Sequence, residues 1–180
     1  MRLLTLLAIF LLICGCMESE QPYSDEAVSF NCPGGWSIIK DTKTIEGLTA
    51  NSINCMQGPD AQFLVMWMDV GYYVNDVDQK MLEEFYNNIR DSFLKEFSQL
   101  VGGLGYEPYV FRPISSEFRG RPARKYQIQL NHPTGNDFSG EIYIFTCKDK
   151  FIFTSISKSS EIDEEGSRGL RKCVNSFKCN

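Results

Sequence analysis

No familiar set of catalytic side chains can be recognised in this sequence. His132 is the sole histidine, and it precedes Pro133 in a polar loop with Asp137 nearby. A histidine base needs an orienting carboxylate and a nucleophile within hydrogen-bond reach, and the sequence points to no such set. We therefore interpret His132 as a surface loop residue, and we assign no catalytic residue.

Two other patterns resemble ligand sites but have simpler explanations. Gly102–Gly105 is glycine-rich, but it follows a predicted helix, whereas a phosphate-binding loop precedes one. Glu161, Asp163, Glu164 and Glu165 lack the alternating spacing of a calcium loop and suit the first turn of a helix. No serine-hydrolase, zinc-protease, P-loop or dinucleotide motif occurs. The sequence thus predicts no enzyme, no cofactor and no metal.

The chain contains seven cysteines, of which five follow residue 26. None of these five forms a Cys-x-x-Cys motif of the zinc or thioredoxin type. Thiols of exported proteins usually pair, so we predict two structural disulfides, Cys32 with Cys55 and Cys147 with Cys173. Cys179, next to the terminus, is then left over. Metal binding and full reduction in an anaerobic setting are the alternatives.

The N-terminus has the layout of an export signal. Arg2 precedes an apolar run over residues 3–13, which is shorter than the roughly 20 residues that span a bilayer. Ile13-Cys14-Gly15-Cys16 resembles the prokaryotic lipobox, although Cys14 replaces the commoner Ala or Ser, and the chain then turns polar. We predict a signal peptide over residues 1–15, lipidation of Cys16 and a location on the extracytoplasmic face of the cell membrane. An uncleaved signal anchor is the alternative.

Charge and composition divide the remainder into a tether and one domain. Residues 16–26 are polar, acidic and aperiodic, which predicts a flexible tether. Residues 27–180 have the length of a single domain. With 18 basic and 23 acidic residues, the net charge of −5 disfavours nucleic-acid binding and adhesion to anionic lipid. We therefore expect membrane lipid to be engaged through acyl chains alone.

Apolar periodicity predicts strands first, then a long helix, then strands and a final helix. Met81, Phe85, Ile89, Phe93 and Phe97 recur every fourth residue and predict an amphipathic helix over 77–100. The final helix is expected to begin near Glu161 with Ser160 as its cap. The predicted strands are 27–32, 36–40, 49–56, 62–70, 109–111, 114–118, 124–130, 140–147 and 151–156. We expect an α+β fold, an αβα sandwich whose mainly antiparallel sheet is covered by helices.

Three segments together resemble PsbP-like domains. They are Val28–Ile38, with its Pro-Gly-Gly-Trp, Gly120–Tyr126, and Phe151–Ser155 with the later Val174–Lys178. The resemblance extends over nearly all of the chain after the tether. It implies the αβα fold of PsbP and the Mog-type Ran-binding proteins, brings no catalytic motif, and points to a prokaryotic lipoprotein, with an archaeal source favoured.

Three functional hypotheses follow. The leading one is a non-enzymatic module that binds or helps assemble another envelope protein. The first alternative is a lipoprotein that binds a small ligand or metal in a cleft between sheet and helix. The second is a hydrolase whose acids or serines converge in a cleft. Phe63, Met66, Trp67 and Met68 are interpreted as core rather than as a ligand pocket.

Overall fold

The computed structural model describes residues 19–45, 48–69, 107–110, 113–131 and 137–180, and positions 84, 87, 88, 91, 92, 95, 133 and 135. In these residues the chain forms strands, helical positions between 84 and 95, and a C-terminal helix, Glu164–Ser176. The strands are β1 (Gln21–Ser24), β2 (Val28–Cys32), β3 (Ser37–Ile45), β4 (Leu48–Gln57), β5 (Ala61–Asp69), β6 (Glu107–Val110), β7 (Ile114–Phe118), β8 (Arg121–Asn131), β9 (Phe138–Cys147), β10 (Lys150–Ser159) and β11 (Lys178–Cys179).

The strands form two antiparallel sheets. The large sheet has eight strands in the order β3-β4-β5-β10-β9-β8-β6, with β7 also paired to β8. The small sheet has three strands in the order β1-β2-β11. β5 lies inside the large sheet between β4 and β10, and it buries side chains on both faces, in agreement with its near-continuous apolar sequence.

The main core lies between one face of the large sheet and a cover made of the small sheet and the C-terminal helix. Phe63 and Trp67 project from β5 into this core, because alternate residues of a strand share a face. The ring of Phe30 from the small sheet meets Phe63 edge-on, with centroids 5.0 Å apart. Each such side chain contributes about 1.5–3 kcal/mol by leaving water. This layer holds the helix against the sheet.

The predicted αβα sandwich is wrong. The described residues are mainly strand, arranged in two antiparallel sheets, and the one helix described without gaps has 13 residues. The small sheet shares with this helix in covering the large sheet. Strands β1 and β11 are not among the predicted strands, because they have only four and two residues and show no clear alternation of apolar and polar side chains. They form by pairing with β2 from either end of the chain.

Most of the predicted helix over 77–100 lies outside the described residues. The six positions described within it, 84, 87, 88, 91, 92 and 95, are helical. Arg124 on β8 donates a hydrogen bond to Asn87 Oδ1 at 3.5 Å. Arg124 shares a face of the large sheet with Tyr126 and Ile128, opposite to the main core. Asn87 therefore lies against this second face.

The first strand lies within the segment that was predicted to be a flexible tether, residues 16–26. Gln21–Ser24 form β1, and Tyr23 is buried there. Glu20 Oε1 forms an ion pair with Lys172 Nζ of the C-terminal helix at 2.8 Å. Three residues, 17–19, lie between Cys16 and Glu20.

Two disulfides cross-link the core. Cys32–Cys55 joins the small sheet to the large one and is the first pair chosen in the sequence analysis. The second pair differs from the expected Cys147–Cys173, because Cys147 bonds to Cys179 instead. The pairing of β11 with β2 brings Cys179 back to the core, and no local sequence signal indicates this.

The C-terminal helix begins three residues later than predicted, and its cap is Asp163 rather than Ser160. Asp163 Oδ1 accepts a hydrogen bond from the backbone N–H of Gly166 at 2.7 Å. Gly169 allows the helix to approach closely, since a Cβ at this position would overlap the buried indole ring of Trp36. The absence of a side chain at Gly169 thus allows the short distance between the helix and Trp36.

Cys173 is a buried free thiol on the same side of the helix. Its Sγ lies 3.7 Å from Cys55 Sγ, beside the first disulfide. Burial raises the pKa of the Cys173 thiol from 9.0 to about 12, because the thiolate would lose its hydration. The folded protein therefore holds this sulfur in its unreactive neutral form.

Replacing Gly169 tests the helix packing. Gly169→Ala is expected to lower the free energy of unfolding by about 1–2 kcal/mol, because the overlap with Trp36 outweighs the roughly 1 kcal/mol gain in helix propensity. Urea unfolding with the disulfides intact measures the change. Arg168→Ala, at the exposed neighbouring position, is the control and should stay within about 0.5 kcal/mol of wild type. A Gly169→Ala variant as stable as wild type would contradict the close approach.

Alkylation tests the burial of Cys173. At pH 8 the native protein is expected to leave Cys173 unmodified by iodoacetamide, whereas the urea-unfolded chain reacts readily, as peptide mass mapping would show. Below the ordinary pKa of 9.0 the buried neutral thiol contributes fully to stability, and this contribution is lost as the pH rises toward 12. Cys173→Ala should remove that part of the alkaline destabilisation. Rapid labelling of the folded protein would overturn this assignment.

Candidate functional site

The structure describes only some of the residues singled out in the sequence. Cys16, His132 and the whole of Gly102–Gly105 lie outside the described residues. Within the described part, no group of three or more His, Cys, Asp or Glu residues could hold a metal ion. No helix described here is both long and apolar enough to cross a membrane. Asp163 serves as a helix cap.

A groove of about 740 Å³ lies between the C-terminal helix and the large sheet. The helix forms one wall, strands β8, β9 and β10 form the floor, and the end of β7 with its following turn forms one end. A cleft between sheet and helix is the location that the small-ligand hypothesis predicts from the sequence. The sequence did not indicate which residues would line it.

The floor is a set of rows that run across three neighbouring strands. Residues opposite one another in an antiparallel sheet share a face, so the strand registers define each row. Two complete rows line the groove, Gln129–Ser139–Lys158 and Gln127–Glu141–Ile156. Tyr143 also lines it and belongs to the next row, Lys125–Tyr143–Thr154.

The helix wall follows directly from helical periodicity. In an α-helix, the residues three, four, seven and eight positions after a given residue lie on the same side as that residue, which here is Ser167. This side combines two apolar, two neutral polar and one basic side chain. The five residues are Ser167, Leu170, Arg171, Val174 and Asn175.

Aromatic rings and a tight turn form the end of the groove. The Phe118 ring lies 4.8 Å from that of Tyr143 and 5.3 Å from that of Phe177, centroid to centroid. Arg119 and Gly120 follow with φ values of 52° and 75°, and together they make the two-residue loop between β7 and β8. Positive φ at both central positions is typical of the type I′ hairpin turn. The turn therefore places Arg119 at the groove.

The Glu141 carboxylate is held by two partners within the floor. Lys125 Nζ lies 2.5 Å from one oxygen, and the Tyr143 hydroxyl donates to the other at 2.7 Å. The hydrogen bond to Glu141 raises the pKa of Lys125, against the opposing effect of burial. Burial and then the hydrogen bond to Glu141 raise the pKa of Tyr143. Lys125 therefore stays positively charged and Tyr143 neutral near neutral pH, and the ammonium group of Lys125 pairs with the Glu141 carboxylate.

Three other cations give the groove a positive character. Arg119, Lys158 and Arg171 line it, and none of them forms an ion pair with a residue of the described part. Glu117 is the one lining acid that also has no ion-pair partner there. In a chain with a net charge of −5, this excess of positive charge favours an anionic ligand.

The groove geometry does not assemble a nucleophile with its base. Ser139 and Lys158 are cross-strand neighbours, but no hydrogen bond joins Ser139 Oγ to Lys158 Nζ among the described contacts. A serine nucleophile requires a base within about 3 Å. The lining instead combines amide, hydroxyl and cationic groups with apolar side chains, which are suited to non-covalent binding.

Comparison with known proteins identifies the fold. Neither protein-family models nor curated proteins give a match to this chain. The solution structure of cyanobacterial PsbP (CyanoP) from Synechocystis sp. PCC 6803 matches with a TM-score of 0.59 and 14% identity, over 92% of this chain and 95% of that one. A 1.50 Å crystal structure from Bacteroides thetaiotaomicron VPI-5482 matches with a TM-score of 0.49 and 10% identity, over 91% of this chain and 49% of that one. The comparisons provide no support for an archaeal source or for a lipoprotein origin. The chain has a PsbP-like fold.

Proposed function

We propose that this protein is a non-enzymatic, lipid-anchored module on the extracytoplasmic face of the membrane, where its groove binds or helps assemble another envelope protein. The observation that carries the proposal is the groove itself, about 740 Å³ in volume and lined by three cations without ion-pair partners in the described part. The PsbP-like fold supports the architecture and leaves the partner open.

The short N-terminal connection supports a domain held close to the lipid. Three residues lie between Cys16 and Glu20, so the Cα atoms of these two residues are at most about 14 Å apart in a fully extended chain. Glu20 contacts Lys172, which lies two residues from Leu170 and from Val174 along the helix. Two residues correspond to about 200° of rotation, so Lys172 faces nearly away from these groove residues. Anchoring at Cys16 therefore leaves the groove uncovered.

A small ligand in the same groove is the second candidate. The volume of about 740 Å³ falls within the roughly 300–1,000 Å³ that is typical of small-molecule sites. Native mass spectrometry of the purified protein distinguishes the two candidates. A stoichiometric bound metabolite would favour the small ligand, and a ligand-free mass would favour a protein partner.

Intact-mass analysis tests the anchor. The native protein is expected to begin at Cys16 and to carry a diacylglyceryl group on this thiol, because one acyl chain alone holds a protein only weakly. Cys16→Ser should leave the leader uncleaved and the mass without lipid. A native protein with its leader attached and a bare Cys16 would rule out lipid anchoring, and its recovery from the cytosol would also rule out the location.

Site-specific crosslinking tests the groove as a protein-binding surface. A photoreactive amino acid at Asn175, which is exposed and lines the groove, is expected to capture one envelope protein in native membranes. Lys43 is the control position, because it is exposed on β3, at the edge of the large sheet away from the groove. Identical adducts from both positions, or none from Asn175, would contradict the proposed binding surface.

A further inference from the structure

We infer that the groove binds an acidic segment of the partner protein in an extended conformation, an inference that rests on the function proposed above. The carboxylates of the segment would meet Arg119, Lys158 and Arg171. An apolar side chain of the segment would lie between the C-terminal helix and the floor of the groove.

The distribution of charge selects an acidic occupant. The three cations come from different sides of the groove: Arg119 from the turn at its end, Lys158 from the floor and Arg171 from the helix wall. Glu141 already has Lys125 as its partner. A basic segment would meet uncompensated like charges, whereas an acidic one supplies the counter-ions that the described residues do not.

The apolar side chains that line the groove favour a ligand that has an apolar group as well as negative charge. Leu170 and Val174 on the helix face Tyr143 and Ile156 on the floor, and Phe118 closes the end. Protein interfaces bind most strongly where an apolar anchor fills a pocket and polar contacts surround it. An acidic segment with a single leucine, isoleucine or phenylalanine among its carboxylates matches this arrangement.

The shape of the groove favours a peptide over a small anion. Its helix wall extends from Ser167 to Asn175, a rise of about 12 Å. Four extended residues span about 13–14 Å, so a short segment can run the length of this wall. The cations are distributed over the end, the floor and the helix wall. This arrangement suits several carboxylates along a peptide better than a single small anion.

The test is a selection of displayed random ten-residue peptides against the full chain in lipid nanodiscs. The enriched peptides are expected to combine Asp or Glu with one large apolar residue. Their binding, measured by fluorescence anisotropy, should weaken as sodium chloride is raised, because exposed charges are screened. Arg171→Glu is expected to weaken the binding about tenfold, which corresponds to about 1.4 kcal/mol.

Arg168→Glu provides the matched control, because it makes the same charge change three residues away on the same helix and outside the groove. It should leave the affinity within about twofold of wild type. Circular dichroism establishes that both variants fold, and Lys158→Glu repeats the test from the floor of the groove. Enrichment of neutral or basic peptides, or equal losses from Arg168→Glu and Arg171→Glu, would overturn the inference.

The two proposals fail in different ways. A protein crosslinked from Asn175 together with a selection that favours non-acidic peptides would overturn the acidic segment and keep the binding surface. The absence of any adduct from Asn175 would overturn the binding surface itself. Small-molecule anions that compete stoichiometrically at the groove, with no peptide enriched, would also overturn the acidic segment.

Discussion

The C-terminal helix lies against the sheets through its smallest side chains, and the groove depends on this contact. Gly169 fits beneath the indole of Trp36, and Cys173 packs beside the Cys32–Cys55 disulfide. These residues occupy one side of the helix, so the side that carries Leu170 and Val174 is set at a fixed distance from β9 and β10. A helix displaced by even one methyl group would change the width of the groove, because packed interiors have little free space.

The two ends of the domain meet and hold this arrangement in place. The backbone N–H of Asn180 donates to the carbonyl of Ala27 at 3.0 Å, and its side-chain amide donates to the carbonyl of Asp25. Cys179 is bonded to Cys147 on β9. The chain after the helix is thus tied both to the β1–β2 turn and to the large sheet. Since Glu20 contacts the helix as well, an anchor at Cys16 would act on the same rigid unit.

Local periodicity was sufficient to predict the strands of the large sheet. β5, β8, β9 and β10 each have long alternating or continuous apolar runs, because their side chains pack on one or both faces of a sheet. β1 and β11 lack such runs, and their small sheet arises from pairing across almost the whole chain. The small sheet is the feature that separates the observed architecture from the predicted sandwich.

The residues of the groove were harder to predict from the sequence than the strands. The helix wall could have been recognised from Ser167, Leu170, Arg171, Val174 and Asn175, which follow helical spacing. The floor could not, because Gln129, Ser139 and Lys158 become neighbours only through the strand registers. The second disulfide has the same explanation, since the position of Cys179 is set by β11. Cys173 is buried but unpaired, and nothing in its neighbouring sequence distinguishes it from a cysteine that forms a disulfide.

Hydrogen exchange of the amides in Glu164–Ser176, with the disulfides intact, tests most directly whether the helix is a fixed wall of the groove. Our account predicts that the interior amides of this helix exchange only through global unfolding, with the same protection as the amides of β5 and β10. If the helix amides exchanged rapidly while those of the large sheet stayed protected, the helix would detach locally. The groove would then not be a preformed binding surface.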